Sequence, residues 1–466
     1  MVSIYELERS KTFYFWLSTL LFLELLSVLA WAYQPLAIIF LFILAIILVL
    51  AYRRDRQYLI FLPLAELFWG SMGRSIQYDF FSLRWLVFII TILFFLISHA
   101  KNLRNLKIVK NKILGRFFIV YFLLILLFIV LAFINQHSAR NIFLDANAYF
   151  YFLYLPIWLQ YYDAQVLKKI VKILLASSLV IALKTIVTFY LFTQSSFDLV
   201  SYYKWIRDTR TGEITRLDNG FVRIFFQSQI YVLVAWAIMF DKAIKNNLTS
   251  KNFIYLLLFS AALYISLSRS LWLGLLLVIF ILVVLNKNKL KSIKYLLLLG
   301  VSSYALVIIL FNFPKYHQVN LFNNRSVDTQ EAAVATRTIL LPIMLDSIKH
   351  QPILGYGFGQ ELTFLSQDPR SKNELNPTGQ RTTFSFEWGW LDFMLKGGLL
   401  LALFFVYSLF YIIRGTYAII KLEPKFTAYL AIFLALPLIH VFTPYLNHPL
   451  GLGLLVLGLI NTKYNV

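Results

Sequence analysis

From Phe253 to Leu285 the chain runs for 33 residues with a single charge, Arg269. As one straight helix that run would measure about 50 Å, against a hydrocarbon core of roughly 30 Å. The segment must therefore break, and the polar cluster Ser266-Leu267-Ser268-Arg269-Ser270 is where the break belongs. Two pieces of about 15 residues barely span, which puts the guanidinium at or below the membrane surface. Desolvating an arginine there costs several kcal/mol unless an anion receives it. The plainer reading is a side chain that snorkels to the interface.

The rest of the chain agrees with a membrane setting. It has 466 residues, 60% of them hydrophobic, and a mean hydropathy of +0.73. Such a composition excludes an ordinary soluble fold and predicts an all-α, polytopic integral membrane protein, a single transmembrane domain over 1–466. Apolar runs fall near 13–33, 35–51, 57–69, 82–98, 117–134, 147–162, 173–193, 224–240, 253–267, 270–286, 295–312, 388–413, 426–442 and 449–463. The run 57–69 is short and holds Glu66, so it reads as a half-span. Counting it closes the parity at fourteen, and 11–14 transmembrane helices are expected. Lys11 precedes a first run without a small-residue cleavage pattern, so that run is expected to remain as a span. Zero cysteines exclude disulfides, thiolate catalysis and Cys-based metal sites.

The formal net charge of +21 reports topology. Lys and Arg gather in 53–56, 101–116, 163–172, 241–252, 287–294 and 414–425, whereas 70–81, 135–147, 313–387 and 443–448 are neutral and 194–223 carries +1. This alternation is the positive-inside rule, so both termini are expected in the cytoplasm and no nucleic-acid partner is expected. Two outward segments are too long to be mere connections. They are the first external loop, 193–223, and the long external loop, 313–387, expected to be partly helical and catalytic.

Within the long loop, 328–331 has the form of a helix cap, and Ala332 to His350 read as an amphipathic helix with Leu341, Met344, Leu345 and Ile348 on one stripe. Arg337 projects onto that stripe, where it needs a carboxylate or a ligand anion. Gly355-Tyr356-Gly357-Phe358-Gly359 permits close backbone approach, either as an anion cradle or as a structural turn. Arg381 follows, and Glu387, beside Trp388 at the re-entry into the membrane, is either a general base or an ordinary interfacial acid. Arg223 closes the first loop at the mouth of a span. Arg223, Arg269 and Arg337 thus fall on one side, in loops without net charge, as a focused site for a lipid diphosphate.

The order of these features resembles the O-antigen ligase/polymerase superfamily of bacterial envelope glycosyltransferases. The resemblance rests on Ser268-Arg269-Ser270-Leu271-Trp272, on Thr336-Arg337, on Pro352 to Gly359, and on a span entered about eleven residues before Gly397-Gly398. It covers roughly 220–410. The ligase branch carries a histidine about eleven residues before that glycine, where this chain has Phe386 and Glu387, so the resemblance tilts towards the Wzy-type polymerase. His317 or His350 would have to stand in for a ligase reading.

Membership implies metal-independent transfer without a cofactor, in the bilayer of the bacterial cytoplasmic membrane and on its outer face. The implied substrate is an undecaprenyl-diphosphate-linked oligosaccharide, with a chain-length regulator and a flippase as candidate protein partners. Arg269 and Arg337 would neutralise the leaving diphosphate, Arg223 would assist, and Glu387 would orient or deprotonate the acceptor. Arg381, Gly355, Gly357, Tyr356 and Trp388 would contact diphosphate or glycan. Ligase is the runner-up. A flippase, the third reading, needs charges along a central cavity, and Glu24, Glu66, Lys184, Asp392 and Lys396 look scattered in sequence.

Overall fold

The computed structural model describes residues 10–194, 199–217, 220–311, 332–366, 376–422 and 426–463. The cap at 328–331, His317 and the loop segments 312–331 and 367–375 lie outside the described residues. Every apolar run contains helix. Among the described residues, seven helices are long and apolar enough to cross a membrane: Lys11–Ala32, Gln34–Arg54, Lys112–Ile134, Ala139–Tyr161, Ala164–Gln194, Lys289–Phe311 and Gly389–Ile420. Shorter apolar helices occupy Tyr58–Trp69, Leu83–His99, Ser250–Ser266, Arg269–Leu285, Thr427–Phe442 and Pro449–Thr462, and Gln229–Asn246 covers the remaining run. Among the described residues, strand structure is confined to three antiparallel hairpins: Gln77–Tyr78 with Phe81–Ser82, Gly212–Arg216 with Val222–Phe226, and Leu362–Leu365 with Gln380–Thr383. All three sit in segments of little net charge.

The 33-residue run breaks where length requires it. One helix ends at Ser266, Leu267 turns left-handed (φ 42), Ser268 is extended, and the next helix opens at Arg269. Helix ends leave carbonyls without partners, and lipid offers none. Here side chains supply them. Trp272 Nε1 and the Ser266 hydroxyl both donate to the Leu263 carbonyl (3.0 and 2.7 Å), and Arg223 Nε donates to the Ser266 carbonyl (3.0 Å). The serines and the tryptophan of the sequence motif are thus the parts that make an intramembrane break tolerable.

The long helix Ala164–Gln194 packs against Lys11–Ala32, Tyr58–Trp69, Ser250–Ser266 and Gln229–Asn246, and forms the axis of the bundle. Arg269–Leu285 lies along Thr427–Phe442. A Cβ on Gly274 would fall 2.4 Å from Ile439 Cδ1, so a residue without a side chain sets that close approach. Gln34–Arg54 and Lys289–Phe311 bury little, and Phe42, Leu290 and Ile309 stand exposed. Lipid is the solvent that such outer faces match.

Gly389–Leu422 contains a second break, at Gly398 (φ 58, ψ −158), a backbone region that is essentially glycine-only. The loop from Pro352 to Gly359 docks into it. The Tyr356 and Gly357 N–H groups donate to the Leu395 and Lys396 carbonyls (2.9 and 2.8 Å), and the Leu399 N–H donates to the Pro352 carbonyl (2.9 Å). Gly355 and Gly357 have positive φ and no room for a side chain. Their Cβ atoms would lie 2.7 Å from Gly398 N and 2.4 Å from Ala132 N.

The helix Ala332–His350 forms as expected, but its stripe is rotated. Leu340, Met344 and Ile348 are buried with Leu362, Phe364, Phe386 and Leu395, while Leu345 is 41% exposed. The hairpin Leu362–Leu365/Gln380–Thr383 offers its apolar face to that side, so tertiary packing chose Leu340 over Leu341.

Candidate functional site

A cavity of about 810 Å³ gathers residues from all five segments of little net charge. Its walls draw on 72–88, 144–151, 210–227, 267–273, 337–338, 384–396 and 442–449, and on none of the basic segments. Whole helices separate these stretches in sequence, yet they meet in one place.

Arg223, Arg269, Arg337, Glu387 and Trp388 all line this cavity. Arg269 is the first residue of its helix, a position where the partial positive charge of the helix end adds to the guanidinium and disfavours it without an anion nearby. Ser268 and Ser270 share a hydrogen bond (3.2 Å), and Ser270 is bound to Thr443 (2.7 Å), which fixes the turn that presents Arg269. Arg337 is ion-paired through Nε with Glu387, and Trp388 Nε1 donates to the Arg337 carbonyl (3.2 Å). The helix carrying Arg337 is thereby tied to the mouth of the Gly389–Leu422 helix. Arg223 lies 3.5 Å from Glu213 and over the Phe225 ring while it caps the Ser266 carbonyl, so it braces the break that orients Arg269.

Other sequence candidates stand elsewhere. Arg381 is exposed on its hairpin and does not line the cavity. Gly355, Gly357 and Tyr356 lie behind the wall. Their N–H groups donate to protein carbonyls, and the Tyr356 hydroxyl donates to the Ser347 carbonyl (3.1 Å). Of the two readings for the glycine run, the structural turn is the one formed. His350 binds the Asp346 carbonyl through Nδ1 (2.8 Å) at an exposed helix end, outside the cavity.

The charges that look scattered in sequence are paired in space. Lys184 pairs with Glu24, and Arg84 pairs with Glu66 (3.0 Å). Lys396, almost fully buried, contacts Asp392 Oδ1 at 2.7 Å and Asp145 Oδ1 at 2.8 Å. Asp392 also accepts from Asn447 Nδ2, and Asp145 Oδ2 accepts from the Gly359 N–H (2.9 Å). Asp145, Asp392, Lys396 and Asn447 all face the cavity; of these the sequence reading named Asp392 and Lys396 only as scattered charges and passed over Asp145 and Asn447. The signal was available: acid and base four residues apart inside an apolar span. Asp145 carried none, since only the fold brings it there. His448 also lines the wall, with Nδ1 accepting from the Leu450 N–H (3.3 Å).

Fold and site together describe an all-α polytopic membrane protein with an arginine-lined cavity. Residues 254–406, about a third of the chain, match the family model described as O-antigen ligase. The match supports the resemblance to the O-antigen ligase/polymerase superfamily over that stretch, and implies a membrane glycosyltransferase-like enzyme acting on a lipid-linked glycan. The matched stretch takes in the broken helix pair, Arg269, Arg337, the docked glycine loop, Glu387 and the Gly398 break. No curated protein matches the chain.

Proposed function

We propose that the protein polymerises undecaprenyl-diphosphate-linked oligosaccharide repeat units at the outer face of the cytoplasmic membrane. The observation that carries this reading is the convergence of Arg223, Arg269, Arg337 and Glu387 on one cavity walled by the segments of little net charge. A hydroxyl of one lipid-linked unit attacks the anomeric carbon of a second. The glycosidic C–O bond forms as the bond from that carbon to the diphosphate breaks. Arg269 and Arg337 receive the diphosphate charge as it develops, an electrostatic role worth about 10²–10³ in rate for a single well-placed donor.

The Arg337–Glu387 pair gives this step an order. A diphosphate competes for Arg337, and once Arg337 turns to it, the Glu387 carboxylate is released to take the proton of the acceptor hydroxyl. The loop 313–387 serves as lid and acceptor platform. Arg269→Ala and Arg337→Ala are each expected to abolish chain extension by reconstituted protein given one defined lipid-linked repeat unit, with membrane insertion retained. Lysine at either position is expected to rescue poorly, because it cannot reproduce the bidentate fork. Normal polymer length in either alanine variant would sink the diphosphate clamp.

A ligase is the second reading, and His448 in the cavity wall is the observation that favours it. Cells lacking a polymerase keep single repeat units on the surface or carrier, whereas cells lacking a ligase accumulate long polymer on the carrier.

A further inference from the structure

Arg74 and Arg210 also line the cavity. Among the described residues neither guanidinium has a carboxylate partner, whereas Arg84, Arg223 and Arg337 each have one and Lys396 has two. They belong to different segments, yet a single point ties those segments together. The Ser27 hydroxyl donates to the Ser75 carbonyl (2.6 Å) and accepts from Trp205 Nε1 (3.2 Å). The Ser71 N–H donates to Ser228 Oγ (2.9 Å), and the Thr209 hydroxyl donates to the Trp205 carbonyl (2.6 Å). Burial, and after it the like charge of Arg210, pull the Arg74 guanidinium below its ordinary value.

A third donor lines the same cavity. Gly73 abuts the Arg84 side chain, which a Cβ there would meet at 2.6 Å. Arg84 is held by Glu66 and by the Ser71 carbonyl (2.8 Å). Its Nη1 is nonetheless buried without a partner among the described residues, on a side chain only 9% exposed that faces the same cavity. Two like charges that repel across one cavity wall and an orphaned buried donor are each costly alone. One anion would relieve both.

We propose that Arg74 and Arg210, with Arg84 Nη1, form a second anion site that takes the diphosphate of the acceptor glycolipid, while Arg269 and Arg337 take that of the donor. This rests on the polymerase reading, in which both substrates carry a lipid diphosphate. The two sites make the cavity a meeting point for two carriers and set which unit donates and which accepts.

The test uses the full chain in lipid nanodiscs with undecaprenyl diphosphate as the probe, and counts bound lipid by native mass spectrometry. The wild type is expected to bind two, and Arg74→Gln combined with Arg210→Gln to bind one. Inorganic diphosphate is the competing arm. Displacement at the second site only at concentrations at least 100-fold above the lipid's supports the lipid source, and equal potency overturns it in favour of the free ion. Arg210 is exposed, so Arg210→Gln alone leaves the fold intact and is expected to weaken the second site at least tenfold. Unchanged second-site affinity in that variant, or two lipids on the double variant, overturns the proposal. A wild type that binds one lipid insensitive to both substitutions overturns it and leaves the polymerase reading standing, whereas one that binds none removes both.

Discussion

Arg337 and Glu387 neutralise each other in the cavity wall, so on the proposed reading a diphosphate would exchange one ion pair for another at Arg337. Glu387 is half exposed, and pairs of that kind contribute about 0–1 kcal/mol to stability. Glu387→Gln is therefore expected to leave the thermal midpoint nearly unchanged while lowering turnover by about 10²–10⁴, the range of a lost general base. Full turnover in that variant would remove Glu387 from the proton path. Lys396 is the opposite case. It is buried between two carboxylates, and removing one partner of a buried ion pair costs about 3–5 kcal/mol because the remaining charge has no solvent. Lys396→Met is expected to lower the midpoint in detergent by several degrees, and an unchanged midpoint would show that Asp145 and Asp392 do not depend on it.

Two helix breaks shape the site at the level of elements, and they are built differently. At Leu267 the freed carbonyls are met by side chains from Ser266, Trp272 and Arg223. At Gly398 they are met by the backbone of the docked loop. The second break admits no side chain, since a Cβ on Gly398 would fall 2.2 Å from the Ile353 carbonyl oxygen, in a backbone region closed to other residues. Gly398→Ala is expected to cost about 3 kcal/mol or more and to reduce the folded, extractable fraction. Tolerance of alanine there would mean that the loop does not seat as described. Both breaks have one consequence: they turn charged residues, Arg269 and Lys396, from apolar helices towards one cavity.

At the scale of the whole molecule the cavity lies where the segments of little net charge meet, which makes sidedness measurable. The chain has no cysteine, so single cysteines report without background. Phe80→Cys and Ser385→Cys, at exposed positions of the cavity wall, are expected to react with an impermeant maleimide in intact cells. Lys289→Cys, in a basic segment, is expected to react only after lysis. Labelling of all three before lysis would overturn the outward orientation.

The sequence alone determined the helices and the break at Arg269, and it led to the expectation that Arg223, Arg269, Arg337 and Glu387 share one side. Length against bilayer thickness and the distribution of Lys and Arg are properties of the chain that need no partner. Only the tertiary structure decided that Arg337 pairs with Glu387, that Leu340 and not Leu341 faces inward, and that the glycine loop fills a helix break. Only it showed that Asp145 joins Asp392 and Lys396, and that Arg74 and Arg210 stand together. Each of these depends on a neighbour tens to hundreds of residues away. In a low-dielectric interior the identity of that neighbour sets whether a charge is satisfied or left to a ligand.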